Sequence, residues 1–424
     1  MYRHLTAPST APAADPSPGR AGVAASPEAP ARAASGFWPK LLLLVAAGVV
    51  SAFQVGKVPV AMTALQQSLA IDVATASWLL SAFALVGGVL GIWIGLSVDN
   101  WGARRMALAG LVIQGACSAL GAAGDSVAVL LALRVLEGVG FLAVIVAVPA
   151  LIAVVTPESV HGRAFAAWGT FMPLGMAMMM LTAPWIERLG WRGLWAGNAL
   201  LLFLFAAVLA AGTRQVEDSR QARWSRATGK RPPLGAVISA PGPWLVAALF
   251  ALFTAMFFSI FGFLPLILSH RMGIDGAAIG ILSAAAVVTS AIGNLACGWL
   301  LARGIDSMRL LALGLAAMGI ASVGVVAPIA PGAVAYLMCL VMSLASGLVP
   351  VVLFAAAPRQ APSPDQLGAT LGMAMQGNNL GLLIGPAAAG AIAGAWGWSS
   401  VACWTGLLAL VALMLVRAVR RLDS

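Results

Sequence analysis

Three ionisable side chains lie inside long apolar stretches of this sequence: Lys57, Arg134 and Glu137. A charged group at the centre of a bilayer costs at least about 2.5–3.5 kcal/mol, so residues of this kind usually mark functional sites. Arg134 and Glu137 are three residues apart, which places them on one face of a helix, where they can form an ion pair. The spacing therefore predicts either a proton-carrying carboxylate with its arginine partner or a static buried pair.

Lys57 has two candidate environments. At 1.5 Å per residue it lies about 6 Å from the outer boundary of the hydrocarbon, so its ammonium could extend to that interface. Its neighbours Gln54, Gly56 and Pro59 instead favour a polar, kinked cavity wall. In a cavity, two cations would face one carboxylate. That excess favours an anionic substrate, which an arginine can hold through two hydrogen bonds.

Neutral polar side chains cluster in a later apolar stretch, at Gln376, Asn378 and Asn379. They are candidates for contact with a substrate in the same cavity. Amides inside membrane helices also bond to neighbouring helices, at about 0.6 kcal/mol each, so helix packing is an equally good interpretation.

The composition predicts an integral membrane protein. Asp, Glu, Lys and Arg make up 9% of the 424 residues, hydrophobic residues make up 61%, and the mean hydropathy is +0.96. A soluble domain carries about 25% charged residues. The net charge of +10 is explained by basic cytoplasmic loops, so no nucleic-acid partner is expected.

The sequence predicts no enzyme, metal site or cofactor. Its four cysteines all fall in apolar stretches without paired spacing, and its three histidines lie far apart. It has no HExxH or GxSxG motif. It also has no GxxxxGK[ST] loop, so ATP is not expected to supply energy.

The apolar runs predict an all-α protein with twelve membrane-spanning helices. A cytoplasmic tail, 1–36, is expected to be disordered because it is rich in Ala, Pro and Ser. A basic cytoplasmic linker, 213–242, would join two six-helix bundles at 37–212 and 243–418, followed by a tail at 419–424. The predicted spans are 38–64, 75–98, 106–123, 127–150, 164–186, 191–212, 243–268, 277–301, 309–329, 332–357, 368–394 and 398–418.

The distribution of basic residues predicts the orientation. Lys and Arg concentrate in the segments that would be cytoplasmic if the N-terminus is inside, whereas the opposite loops hold only Arg188, Arg192 and Arg271. The positive-inside rule then places both termini in the cytoplasm. We expect a multi-pass protein of the inner or plasma membrane, monomeric in its lipid bilayer, with a small-molecule substrate.

The turn between the second and third spans carries a charged motif with residues Gly95, Asp99, Gly102, Arg104 and Arg105. Gly102 suits a backbone position with positive φ. The motif resembles the G-x-x-x-D-x-x-G-R-[RK] loop signature of the major facilitator superfamily of secondary transporters. This resemblance implies two six-helix bundles related by a pseudo-twofold axis. It also implies that the turn is a cytoplasmic gate between them.

Two further motifs resemble signatures of that superfamily. Arg134 to Gly138 resembles its helix 4 motif R-x-x-x-G, in which the arginine is associated with proton coupling and lies beside a central cavity. Residues Gly381, Gly385 and Pro386 resemble the glycine–proline signature that antiporters carry in helix 5, but here it falls in helix 11. Helix 5 has an imperfect version, including Pro173 and Gly175, which argues against drug export. We assign these glycines and prolines to helix packing or hinges.

Two transport functions are consistent with these residues. The first is a carrier of a small organic or inorganic anion with proton coupling or exchange. A faint resemblance to cyanate and nitrite-type porters, in residues 54–59 and 77–78, favours it. The second is a proton-driven multidrug exporter, for which Glu137 would be the acidic group. A non-transporting membrane sensor is a weaker alternative, because no soluble domain follows the spans.

We predict that Asp99→Asn leaves membrane insertion and expression near normal but sharply reduces transport. The reason is that a carboxylate near a helix terminus can pair across an interface that opens and closes. Transport assays at matched expression test this, and a normal rate in the variant would remove Asp99 from the gate.

Overall fold

The structure is a computed structural model. The structure describes residues 37–89, 102–157, 164, 167–216, 234–274, 276–328, 331–362 and 367–423. The predicted tail at 1–36, most of the predicted linker, and the gate residues Gly95 and Asp99 lie outside these ranges. For them the sequence-based expectations remain predictions.

Twelve successive segments of the described chain are helical, and we number them α1 to α12. In the second segment, the helix Val73–Ser81 continues through a 3-10 turn, Ala82–Ala84, and helically to residue 89. A short helix, Leu234–Ser239, precedes α7, and another, Leu264–Met272, follows it. The twelve are α1 Trp38–Leu69, α2 Val73–Ser81 with its continuation, α3 Ala103–Ala123, α4 Val127–Val155, α5 Phe171–Met180, α6 Ala183–Gly212, α7 Pro241–Phe261, α8 Gly276–Ala302, α9 Ser307–Val326, α10 Gly332–Gln360, α11 Leu367–Trp396 and α12 Val401–Asp423.

Ten of these described helices are long and apolar enough to cross a membrane, and α2 and α5 are shorter apolar helices. Glycines with positive φ interrupt the chain where the sequence predicted breaks. Gly102 has φ 85°, as expected. Gly190 (φ 66°) breaks the helix Ala183–Gly212 between the predicted fifth and sixth spans, and Gly397 (φ 79°) separates α11 from α12. Only glycine adopts these angles without strain.

The two halves repeat the same helix pairing. A Cβ at Gly175 of α5 would lie 2.5 Å from the carbonyl oxygen of Val49 on α1. A Cβ at Gly381 of α11, 206 residues later, would lie 2.2 Å from the carbonyl oxygen of Ala251 on α7. Small residues at helix interfaces let membrane helices approach closely. Glycines at equivalent positions of the two halves therefore allow α5 to pack closely on α1 and α11 to pack closely on α7.

The other packed helix pairs of the first half also recur in the second half. Within the first half α3 packs on α4 and α6, and α2 packs on α4. Within the second half α9 packs on α10 and α12, and α8 packs on α10. Between the halves, α2 lies against α11 and α5 lies against α8. The repeated pairing gives the fold of two related six-helix bundles.

Exposed tryptophans lie at both ends of the helices. Because consecutive membrane helices alternate in direction, Trp78, Trp185 and Trp396 fall at one end and Trp244 and Trp299 at the other. Tryptophan is enriched at both membrane–water interfaces. Their positions fit helices that span a bilayer.

The close approach of α7 and α11 predicts that Gly381→Ala lowers the free energy of unfolding by about 1–3 kcal/mol, the usual cost of overpacking a tight contact. Thermal unfolding of the protein in detergent measures this. Gly298→Ala is the matched control, because a Cβ there meets nothing within 4 Å, and alanine favours a helix over glycine. Equal stability of the two variants would contradict the assigned contact.

Candidate functional site

The three ionisable residues of the membrane spans meet in the interior of the first half. Lys57 Nζ of α1 lies 2.5 Å from Glu137 Oε1 of α4, and Arg134 Nη1 lies 2.5 Å from Glu137 Oε2. The three residues are 0–2% exposed. One carboxylate therefore bridges two cations out of contact with solvent, and we call this group the ionic triad.

Lys57 is held by three other helices besides its own. Its Nζ donates a hydrogen bond to Ser118 Oγ of α3 at 3.1 Å, and it lies 4.7 Å from the ring centroid of Trp195 on α6. Ser118 Oγ in turn donates to the Trp195 carbonyl at 3.0 Å. The side chain therefore does not extend to the outer interface. Its ammonium instead reaches Glu137 in the interior.

Arg134 connects the triad to α2. Its Nε donates to the carbonyl oxygen of Leu79 at 2.7 Å, and its guanidinium carbon lies 4.5 Å from the Phe83 ring centroid. The Arg134 Nη2 atom is buried and has no hydrogen-bond partner among the described residues. The Nε and Nη1 atoms of Arg134 are therefore held by protein groups, and Nη2 remains available as a hydrogen-bond donor.

The triad carries an excess of one positive charge. A buried ion pair must recover a desolvation cost of several kcal/mol per ion through good geometry. The single carboxylate gives both cations such a contact, but it neutralises only one of them. A bound anion, or loss of a proton from Lys57, would remove the excess.

Two buried amides lie near Lys57 in the sequence of its own helix and of α6: one is a helical turn from Lys57 and the other a helical turn from Trp195. Gln54 precedes Lys57 on α1 and is 0% exposed, and Asn198 follows Trp195 on α6 and is 4% exposed. Neither amide has a hydrogen-bond partner among the described residues. Sequence reasoning selected Gln54 but missed Asn198, Ser118 and Trp195, although each is a polar or aromatic residue within a predicted span.

The amides of α11 make contacts with protein groups away from the triad. Gln376 Nε2 crosses to the first half and donates to the carbonyl oxygens of Gly88 at 2.9 Å and Val89 at 3.3 Å. Asn378 Oδ1 accepts from Thr254 Oγ1 of α7 at 2.7 Å, and Asn379 Nδ2 donates to the Met375 carbonyl of its own helix at 2.9 Å. Their possible substrate contacts remain a prediction.

The described part of the predicted gate fixes the end of α6. Arg104 Nε donates to Thr213 Oγ1 at 3.0 Å and Nη2 donates to the Ala210 carbonyl at 2.9 Å, whereas Arg105 is exposed. A cation at a helix C-terminus also interacts favourably with the helix dipole.

The proline and glycine residues assigned to packing lie in helix contacts. Pro173 is buried within α5. A Cβ at Gly385 would lie 2.6 Å from the carbonyl oxygen of Ala255 on α7, one turn beyond the Gly381 contact. Pro386 follows it inside α11. These positions support close approach of α11 to α7.

Comparison with known families decides the class of protein. A sequence profile of the Major Facilitator Superfamily matches residues 44–366, more than half of the chain. The chain belongs to the major facilitator superfamily. It is therefore a multi-pass membrane transporter and not an enzyme, as the sequence predicted.

Solved structures of superfamily members share its fold. A bacterial homologue of the human lysosomal transporter Spinster, in an inward-facing and occupied conformation, gives a TM-score of 0.75 at 14% identity. Its inward-facing, unoccupied structure gives 0.73 at 16% identity, and both alignments cover 90% of this chain and 96% of the other. At these identities the likeness is one of fold.

A curated relative in sequence is the puromycin resistance protein pur8 of Streptomyces alboniger. It is 29% identical over 157 residues, which are 37% of this chain. The match spans 31% of the length of that relative.

The charge balance of the triad in this superfamily member predicts an order of stabilities. Glu137→Gln leaves two unpaired buried cations, so it should lower the free energy of unfolding by about 3–5 kcal/mol. Lys57→Met leaves one balanced pair and a side chain of similar length, so it should cost less. The double variant restores a single excess charge and should be more stable than Glu137→Gln alone.

Thermal unfolding in detergent, followed by tryptophan fluorescence, ranks these variants. If Lys57→Met unfolds at a lower temperature than Glu137→Gln, the excess charge does not govern the stability of the site.

Proposed function

We propose that this chain is a secondary transporter that moves a small organic or inorganic anion, with proton coupling or exchange, by alternating access. The observation that carries the proposal is the excess positive charge of the ionic triad. Two cations, Lys57 and Arg134, share the single carboxylate of Glu137. An anion would supply the missing negative charge.

The hydrogen-bonding groups at the triad support an anion as its ligand. Arg134 uses Nε and Nη1 for protein contacts and has Nη2 free of partners among the described residues. Gln54 lies one turn before Lys57, and its amide nitrogen also has no hydrogen-bond partner among the residues that the structure describes. Donors of this kind recognise carboxylates and oxyanions.

Proton coupling follows from the same charges. When Glu137 binds a proton from solution on a carboxylate oxygen, the site changes from one excess positive charge to two. The affinity for an anion then rises, and by linkage a bound anion raises the affinity for the proton by the same factor. The two ligands would therefore bind and move together.

Drug export is a second candidate, favoured by an aromatic row on α7. Successive ring centroids of Phe250, Phe253, Phe257 and Phe261 lie 4.3–6.5 Å apart, and Phe354 of α10 lies 5.2 Å from Phe250. Aromatic walls suit planar, apolar ligands. The relative named for puromycin resistance points in the same direction.

Uptake of labelled nitrite, cyanate or formate into proteoliposomes tests the anion proposal. An acidic exterior should accelerate uptake by the unmodified protein. Lys57→Met should reduce uptake about tenfold, equivalent to about 1.4 kcal/mol of lost interaction with the anion. Lys40→Met is the matched control, because it makes the same change on the same helix outside the triad.

A different pattern would favour the second candidate. If Lys57→Met leaves anion uptake unchanged, while Glu137→Gln and Phe253→Ala each abolish puromycin resistance in cells that express the protein, the chain is a drug exporter.

A further inference from the structure

We infer that Phe83 and Gly138 are positioning residues that transmit the charge state of the ionic triad to α2, and through α2 to the second half of the protein. The inference rests on the proposed function in one respect, namely that the charge of the triad changes during transport. The contacts that carry the signal are independent of which substrate moves.

The first step is a continuous contact between α4 and α2. Arg134, Gly138 and Phe141 recur at four and three residues, so they lie on one face of α4. Arg134 contacts Leu79 and Phe83 of α2, as described above. Phe141 packs its ring on Phe83 with the centroids 5.0 Å apart. The triad and this face of α2 are therefore in direct contact.

Gly138 makes this contact possible. A Cβ at this position would lie 1.8 Å from the carbonyl oxygen of Phe83, closer than non-bonded atoms can approach. The α2 backbone therefore lies directly on the α4 backbone at Gly138, one turn after Arg134. A displacement of Arg134 cannot be absorbed by a flexible side chain between the two helices.

The second step is a change of helix type in α2 at the same level. Regular α-helix ends at Ser81, and Ala82–Ala84 forms a 3-10 turn before the helix resumes. A 3-10 stretch within a longer helix often marks a hinge. The Ser81 hydroxyl beside it is fully buried without a hydrogen-bond partner among the described residues. Arg134 of the triad contacts α2 in this turn, at Phe83, and just before it, at Leu79.

The third step is the opposite surface of α2, which packs on the second half. Before the turn, a Cβ at Gly394 of α11 would lie 3.8 Å from the Ala74 Cβ, and a Cβ at Gly262, after α7, would lie 2.6 Å from Leu80 Cδ2. After the turn, Gly87 lies against the Asn379 side chain of α11. The α2 helix therefore packs against the second half on both sides of the 3-10 turn. It connects the triad to that half.

The charge state can act along this path through Arg134. When the Glu137 carboxylate is ionised, it holds Nη1 of Arg134. When a proton occupies that carboxylate, the ionic attraction to Arg134 is lost, and the guanidinium depends more on the Leu79 carbonyl and the Phe83 ring. Among the described residues, the titratable groups that face Glu137 are Lys57 of α1, Arg134 of α4 and the Cys117 thiol of α3, while α2 and α6 contribute uncharged groups.

A cysteine pair at the far side of α2 provides the readout. The separation between Ala74 and Gly394 matches the mean Cβ–Cβ distance of a disulfide, about 3.8 Å. In protein carrying Ala74→Cys, Gly394→Cys and Cys403→Ser, the last change removing the exposed native cysteine, the rate of disulfide formation reports how α2 packs on α11. The rate is measured between pH 5 and pH 8 and with added nitrite, relative to the reactivity of Ala74→Cys alone.

We expect the rate in this reporter protein to change with pH or with nitrite, and Phe83→Leu to reduce that change at least about fivefold. Phe83→Tyr keeps the ring and should restore the response. Gly138→Ala should suppress it as Phe83→Leu does, and Cys117→Ala should leave it intact. Nitrite binding, measured by thermal shift, should stay within about threefold in Phe83→Leu, because Phe83 offers no hydrogen-bond donor to an anion.

The outcomes separate the inference from the proposed function. If Phe83→Leu responds as fully as the unmodified reporter, the positioning role is wrong, whether or not Gly138→Ala folds, and the proposed function stands. If the unmodified reporter responds to neither pH nor nitrite, the triad is not a switch and the inference fails with it. The uptake assay with Lys57→Met then decides the anion proposal separately.

Discussion

The structure depends on a carboxylate that is buried between two cations in the interior of the first half. A lone charge there would cost several kcal/mol, so every neighbouring helix must contribute a partner. Five of the six helices of the first half do so: α1 and α4 supply the charges, α3 a hydroxyl, α6 an indole ring, and α2 a carbonyl and a phenyl ring. The triad therefore fixes how these five helices lie around it.

The second half uses the same helix pairing without the charges. Where α3 meets α6, Ser118 links the lysine to Trp195. Where α9 meets α12, Ser322 and Thr405 form a buried hydroxyl pair at 2.7 Å. No Asp, Glu, Lys, Arg or His lies in the middle of the predicted apolar runs of this half. The buried charges of the described helices therefore lie in the first half. A conformational change that begins at these charges must be transmitted to the second half.

Much of this arrangement could be predicted from the sequence because it follows from local rules. Hydrophobic length predicted the helices, the glycine at position 102 predicted a positive φ there, and a spacing of three residues predicted the pair of Arg134 and Glu137. The partner of Lys57 could not be predicted, since it depends on helix tilt and on which neighbour α1 faces. The contacts of Ser118 and Gln376 were missed for the same reason: each joins residues more than 60 positions apart.

The energies involved are matched to a change of conformation. To move a two-state equilibrium from 1:99 to 99:1 requires about 5.5 kcal/mol, and the loss of one partner from a buried ion pair is worth about 3–5 kcal/mol. The contacts of α2 with α11 are made by small residues and by hydrogen bonds to carbonyl oxygens, such as that of Gln376, which are worth about 1 kcal/mol each. In the proposed switch, a change of charge at Glu137 is worth several of these hydrogen bonds, but less than the about 5.5 kcal/mol of the complete shift.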